Sequence, residues 1–257
     1  MKRLALVVAG VLPLLTACAA QTPGEGWKVS SPAAESNARL ARASLDGGDP
    51  GAAMALYQQS LKRNPDDYDA RLGLADALFM VGELERARTA YAEAAARRAD
   101  APEPLLALGR IALMKREFAE AERRYAAARA VAPDNPRPLC GLGAVLDLQG
   151  RHAEAQALYR QALDAHPEDA AARSNLGLSL ALAGQPRQAV NVLLDVATQP
   201  SAPPQARQNL ALAYGLMGND EAAESVLGGE MERTAVRANL DYYRFVRGRA
   251  AAPVMAP

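Results

Sequence analysis

Apolar positions recur along this chain with a long period laid over a short one. From Pro136 to Pro167 the sequence PRPLCGLGAVLDLQGRHAEAQALYRQALDAHP places Leu139, Leu142 and Leu146 on one helical face. Gly150 follows, and then Ala155, Tyr159 and Ala162 at the three- and four-residue spacing of a second helix. Two short amphipathic helices joined by a glycine turn are the predicted unit. Stepping by 34 residues in both directions repeats the pattern without insertion. Leu142 recurs as Leu40, Leu74, Leu108, Leu176 and Leu210, and Ala155 as Ala53, Ala87, Ala121, Ala189 and Ala223. Gly143 recurs as Ala41, Ala75, Gly109, Gly177 and Ala211, and Tyr159 as Tyr57, Tyr91, Tyr125, Leu193 and Leu227. The turn glycine recurs as Gly48, Gly82, Gly184 and Gly218, and is replaced by Arg116 in the third unit.

Each slot has a physical reason. A large anchor beside a small residue lets the second helix approach the first closely. Alanine marks the crossing point, and a ring or leucine one turn later fills the gap between units. Glycine tolerates positive φ where the first helix ends. Asp49-Pro50 and Asn135-Pro136 pair an N-cap with proline at the first helical position. No unit can bury its apolar face alone, so stability comes from stacking neighbours. Six units are expected, at 34–67, 68–101, 102–135, 136–169, 170–203 and 204–237. The outer two are atypical: Asn37 and Ser44 occupy apolar offsets in the first, and Glu230 replaces a small residue in the last. Residues 238–248, through Leu240, Tyr243 and Val246, are expected to form a capping helix, with 249–257 a loose tail. The pattern resembles the tetratricopeptide repeat, a 34-residue helix-turn-helix unit. The resemblance implies an all-α solenoid of about six units with a C-terminal capping helix.

The first residues follow another rule. Met1-Lys2-Arg3 precede an apolar run from Leu4 to Leu15. As a helix, that run would reach about 18 Å, against about 30 Å of hydrocarbon in a bilayer. It is too short to span, and it matches a secretory signal. Leu15-Thr16-Ala17-Cys18 at its end resembles the bacterial lipobox. This implies cleavage after residue 17, lipidation of Cys18 and a membrane anchor. Ala19 after Cys18, rather than Asp, is consistent in similar lipoproteins with the outer membrane, and implies its periplasmic face. Residues 18–33, rich in Gly and Pro and containing Trp27, are expected to be a flexible tether.

Composition narrows the function. Acidic and basic residues balance at 29 each, so the chain lacks the basic footprint of a nucleic-acid binder. Aromatics are only 5%, which leaves Leu, Ala and Val to build the core. His152 and His166 are the only histidines, and both fall at loop offsets where surface positions are expected. No phosphate loop, metal-ligand spacing or nucleophile elbow is present. Cys140 is expected to be a small apolar filler in a first helix. Catalysis, cofactors, metals and small-molecule substrates therefore have no candidate residues.

A binding surface remains. Offsets two, five, nine and twelve of each unit are expected to face an inner wall. There Arg42, Leu45, Leu72, Asp76, Phe79, Leu106, Arg110 and Leu113 form a candidate groove for an amphipathic helix or apolar-rich peptide. Ala38, Arg42, Leu72, Asp76, Leu106 and Arg110 stand where some of these repeats carry a Lys/Asn/Arg set for C-terminal carboxylates, so that mode is absent.

Taken with RQNLALAYGLMGNDEAAE (Arg207 to Glu224) and ANLDYYR (Ala238 to Arg244), the lipobox, tether and repeats resemble the TadD-type lipoproteins of tight-adherence (Flp) pilus systems. That resemblance implies a scaffold that assists assembly or outer-membrane localisation of the pilus secretin and its companion proteins. The alternative is a similar lipoprotein adaptor of another envelope machine, for polysaccharide export, cell-wall synthesis or outer-membrane protein insertion.

Overall fold

The computed structural model describes residues 32–199, 202–229 and 231–251. The signal, Cys18, Trp27 and most of the tether lie outside the described residues, as do Glu230 and the last six residues. Among the described residues there are thirteen helices and no strand. Twelve pair in sequence: α1 (Pro32–Asp46) with α2 (Pro50–Arg63), α3 (Tyr68–Met80) with α4 (Leu84–Arg97), and α5 (Pro102–Met114) with α6 (Phe118–Val131). Then come α7 (Pro136–Leu148) with α8 (His152–Ala165), α9 (Ala170–Leu182) with α10 (Pro186–Ala197), and α11 (Pro204–Met217) with α12 (Asp220–Leu227). The thirteenth, α13 (Arg233–Ala251), closes the array. Each helix packs on its hairpin partner and on the next helix, and α7 also touches α5 and α9. The architecture is a helical-repeat solenoid.

The repeat slots account for the packing. The crossing alanines Ala53, Ala87, Ala121, Ala155, Ala189 and Ala223 are all fully buried. Rings from the second helices lie between units. Tyr125 covers both Gly109 of its own unit and Gly141 of the next, and Tyr57 covers Gly73 of the next. The core is therefore a chain of local clusters, each shared by neighbouring units, rather than one centre. Leu40 departs from its series and is exposed, because no described element packs on the outer side of α1.

The caps form as their residues predict. Asp49 accepts a bond from the Ala52 amide at 2.9 Å, and Asn135 from the Arg137 amide at 2.9 Å. Gly48, Gly82, Gly150, Gly184 and Gly218 all have φ between 74° and 85°. Arg116, the exception in sequence, takes the same left-handed turn at φ 59°. Its amide donates to Leu113 O at 3.0 Å and that of Glu117 to Ala112 O at 2.8 Å, the paired bonds of a Schellman end. The turn is thus imposed by packing on either side, against the preference of an L-residue. Arg116→Gly is expected to relieve about 1 kcal/mol of backbone strain. Loss of the Arg116 guanidinium from the Phe118 ring, 5.3 Å away, offsets roughly 0.5 kcal/mol of that. A higher urea midpoint checks the prediction, and an unchanged or lower midpoint contradicts it.

The C-terminal end differs from the expected frame. Helix α12 has only eight residues and stops before Gly228-Gly229. Helix α13 begins at Arg233, five residues before the expected start of the cap. Val236, Leu240 and Tyr243 are buried against Ala211, Ala223 and Leu227 of the sixth unit. Arg247 donates to Gly215 O at 2.6 Å, and Arg244 pairs with Asp220 at 2.7 Å, which pins the cap by polar contacts as well.

Candidate partner-binding surface

The exposed sector of each first helix follows from where its buried residues point. In α3, Tyr68, Ala70, Gly73, Ala75, Ala77 and Leu78 are buried against neighbours. Asp69, Leu72, Asp76, Phe79 and Met80 are left on the remaining side, three and four residues apart. Residues from four successive first helices converge there. Arg42 of α1, Leu72, Asp76 and Phe79 of α3, Leu106 and Arg110 of α5, and Arg137 of α7 line one pocket of about 270 Å³. Side chains from four units reach a common space only if the array curves toward it, so this wall is concave at its N-terminal half.

Six of the eight residues expected in the groove lie in this pocket, together with Glu103, Tyr91 and Arg137. Leu45 and Leu113 do not line it. They are partly buried and pack into the clusters of units one and three. Leu106 is at its floor and only 5% exposed. The Arg110 guanidinium sits 4.5 Å from the centre of the Phe79 ring and covers it. The expected apolar strip is therefore broken here, because these side chains also serve the core. The pocket is instead mainly polar.

Its charges are partly internal. Asp76 accepts the Tyr91 hydroxyl at 2.6 Å. Burial pushes its carboxyl above the ordinary carboxylate range, although the Tyr91 bond and Arg42 act in the other direction. Arg137 acts on Asp76 in the same direction as Arg42, and Arg42 also bonds the Tyr57 hydroxyl. The three guanidinium groups exceed Asp76 and Glu103 in charge, and the excess faces the open side.

The exposed apolar residues occupy an offset that the sequence reading passed over. Met80, Met114, Leu148 and Leu182 each end a first helix, recur every 34 residues and are 48% to 56% exposed. Stepping by the repeat length from Met80 would have found the row. Position thirteen lies four residues beyond position nine, on the same helical face.

Both histidines are partly exposed at helix ends, and each makes a side-chain contact. Asp147, at the inner offset of α7, accepts Ser179 Oγ at 2.7 Å on Oδ1 and the Tyr159 hydroxyl at 2.9 Å on Oδ2. His152 Nδ1 lies 2.8 Å from the same Oδ1. His166 Nε2 is 2.6 Å from Asp134 O. Each histidine ties its own unit to a neighbour or to its paired helix. Asp147, Ser179 and His152 do not form a hydrolytic triad. The serine hydroxyl is fully buried and donates to the carboxylate rather than to the imidazole, so no base activates it. The carboxylate links α7, α8 and α9 by side-chain bonds that distant sequence positions supply. Cys140 is half-buried among apolar neighbours, and desolvation pushes its thiol up to about 12. Among the described residues no group of three or more His, Cys, Asp or Glu side chains is placed to hold a metal ion. No described helix is long and apolar enough to cross a membrane.

Among solved structures the chain superposes on a chain of the APC/C hetero-tetramer Cut9–Hcn1 with a TM-score of 0.71 at 20% identity. The match covers 85% of this chain and 43% of that one, so the present chain spans less than half of its length. On pilF of Pseudomonas aeruginosa the TM-score is 0.65 at 17% identity, covering 83% of this chain and 97% of that one. On PilW, a widely conserved type IV pilus biogenesis factor, it is 0.68 at 20% identity, covering 81% and 97%. At such identities the likeness is one of fold. Among curated proteins none matches the chain. Two family models described as tetratricopeptide repeat match it, one over residues 44–103 and 148–199 and the other over 106–155, together more than half its length. With the 34-residue register and the stacked helical hairpins, these matches make the chain a member of the tetratricopeptide-repeat family.

Proposed function

We propose that this chain is a non-catalytic scaffold, held by lipid at Cys18 to the periplasmic face of a bacterial outer membrane. Its inner wall takes a segment of a partner protein. The observation that carries the reading is the exposed inner sector, where four first helices bring arginines and apolar groups to one open pocket. The partner system is that of a tight-adherence (Flp) pilus, in which the chain assists assembly or outer-membrane localisation of the secretin. The lipobox at Leu15 to Cys18 and the Arg207–Glu224 and Ala238–Arg244 stretches support this assignment. The fold shared with PilW, a type IV pilus biogenesis factor, is consistent with it.

The test compares cells carrying the native chain with cells carrying Cys18→Ser. The native chain is expected in the outer-membrane fraction, and the variant in the soluble periplasm with less multimeric pilus secretin in the outer membrane. A Cys18→Ser chain that still fractionates with the outer membrane would remove the lipid anchor from the account. A deletion strain with normal secretin and a defect in polysaccharide export, cell-wall synthesis or outer-membrane protein insertion would assign the scaffold to that machine instead.

A further inference from the structure

Helix α13 has two faces, and the cap uses one of them. Val236, Leu240, Tyr243 and Arg247, spaced four, three and four residues apart, point into the sixth unit. Ala235, Ala238, Tyr242 and Phe245, spaced three, four and three apart, lie on roughly the opposite side and are all exposed. At 59% each, Tyr242 and Phe245 are the most exposed large apolar side chains among the described residues. Alternating steps of three and four are the spacing of a seam between two helices. The Tyr242 ring already rests edge-on against Tyr243, with centroids 6.3 Å apart, so it is ordered before any contact forms.

The seam is graded, with alanines toward its N-terminal end and rings toward its C-terminal end. In a parallel pair, rings would meet rings and alanines alanines, and the helices would splay. In an antiparallel pair with its two-fold axis near Tyr242, Ala238 meets Phe245 of the second copy, and Phe245 meets the second copy's Ala238. Each ring then enters the space over a small residue, which is the self-complementarity of an isologous dimer. Charge does not oppose the pairing. Acidic and basic residues balance at 29 each along the chain. Asp241, beside the axis, is matched by Arg244 of its own helix at 2.9 Å.

We propose that α13 joins two copies of this chain as an antiparallel pair through Ala235, Ala238, Tyr242 and Phe245. The seam from Ala235 to Phe245 is about 15 Å long. That is short of the roughly 800 Å² per partner of a stable interface, so the dimer is weak, with a dissociation constant on the order of 10 µM. None of the residues lining the inner-wall pocket belongs to α13, so this surface stands or falls apart from that reading.

Sedimentation equilibrium of the purified full chain, from about 1 to 100 µM, is expected to show a reversible monomer–dimer equilibrium. Tyr242→Glu and Ala238→Glu should each raise the dissociation constant at least tenfold. Both positions are exposed, so the thermal midpoint at the dilute end should match that of the native chain. Introduced cysteines report the direction of pairing. Cys140 is partly buried and its thiol is pushed up to about 12, so an introduced thiol reacts in its place. Chains carrying Ala238→Cys and chains carrying Phe245→Cys should form a disulfide with each other on oxidation, and little with themselves. Like positions stand about 10.5 Å apart along the antiparallel pair, beyond disulfide reach.

A chain that stays monomeric at about 100 µM overturns the proposal. So does a dimer that both glutamate variants leave intact. A dimer abolished instead by Leu40→Glu, on the open side of α1, would mean that copies stack end to end. Disulfides of Ala238→Cys with itself would show a parallel pair and overturn the antiparallel one. A monomer whose Tyr242 position crosslinks to another protein in cells would give this face to that protein, and the proposal would fall.

Discussion

Tyr159→Ala is expected to destabilise the array by about 4 kcal/mol, the cost of deleting a fully packed aromatic side chain. The ring is 2% exposed and lies over Gly143, where an added Cβ would come within 2.5 Å of it. It belongs to the cluster that joins Ala155 and Leu176 across the fourth and fifth units. Its hydroxyl donates to Asp147, which also accepts Ser179, so truncation takes a donor from a partly buried carboxylate as well as opening a cavity. A solenoid has only nearest-neighbour interfaces, so weakening one of them uncouples the units on either side. Urea unfolding of the variant, followed by circular dichroism, should therefore separate into two steps. Tyr159→Phe keeps the ring and should cost about 2 kcal/mol for the lost bond to a charged acceptor. Native-like unfolding of Tyr159→Ala would contradict this account of the interface.

A comparable effect is expected from adding atoms. Gly141→Val should cost about 3 kcal/mol by overpacking. A Cβ at Gly141 would come within 2.6 Å of three atoms of the Tyr125 ring, and real Cβ atoms do not approach so closely. The ring cannot retreat, because its other side already covers Gly109, where a Cβ would meet it at 2.8 Å. The expected signature is coupling: in a Tyr125→Ala background the same valine should cost much less, since it enters the space the ring vacated. Denaturation midpoints of the two single variants and the double variant give the cycle. Additive losses would show that the ring does not set the requirement at Gly141.

These two residues also show what the sequence disclosed and what it did not. Tyr159 and Gly143 stand in the register that repeats every 34 residues, so their pairing was legible from spacing alone. Gly141 was not, because its offset also carries Gly73, Ala107, Asn175 and Asn209. The need for glycine there arises only from the preceding unit's ring, a contact between units. Arg116 is a similar case. Its side chain argues against a left-handed turn, and only the packing of α5 on α6 imposes one. The short α12 was hidden because the register continues through Gly228-Gly229 although the helix does not.

At the candidate site the same division holds. The inner face followed from helical geometry, and Arg42, Asp76, Phe79 and Arg110 do meet in one pocket. Whether an apolar residue on that face is open or recruited to the core depends on the neighbouring unit. Leu106 is recruited, so Leu106→Asp would place a charge in the core and unfold the site. Met114 and Leu148 are open, which makes them the proper positions for testing the surface.

The most direct test of the central claim is site-specific photo-crosslinking in native cells. A photoreactive residue is placed at Met114 or Arg110 on the inner wall, and at Arg123 on the exposed face of α6 as the outer control. The account predicts a discrete adduct with an envelope protein from both inner positions and none from Arg123. Adducts from Arg123 alone, with none from Met114 or Arg110, would contradict it.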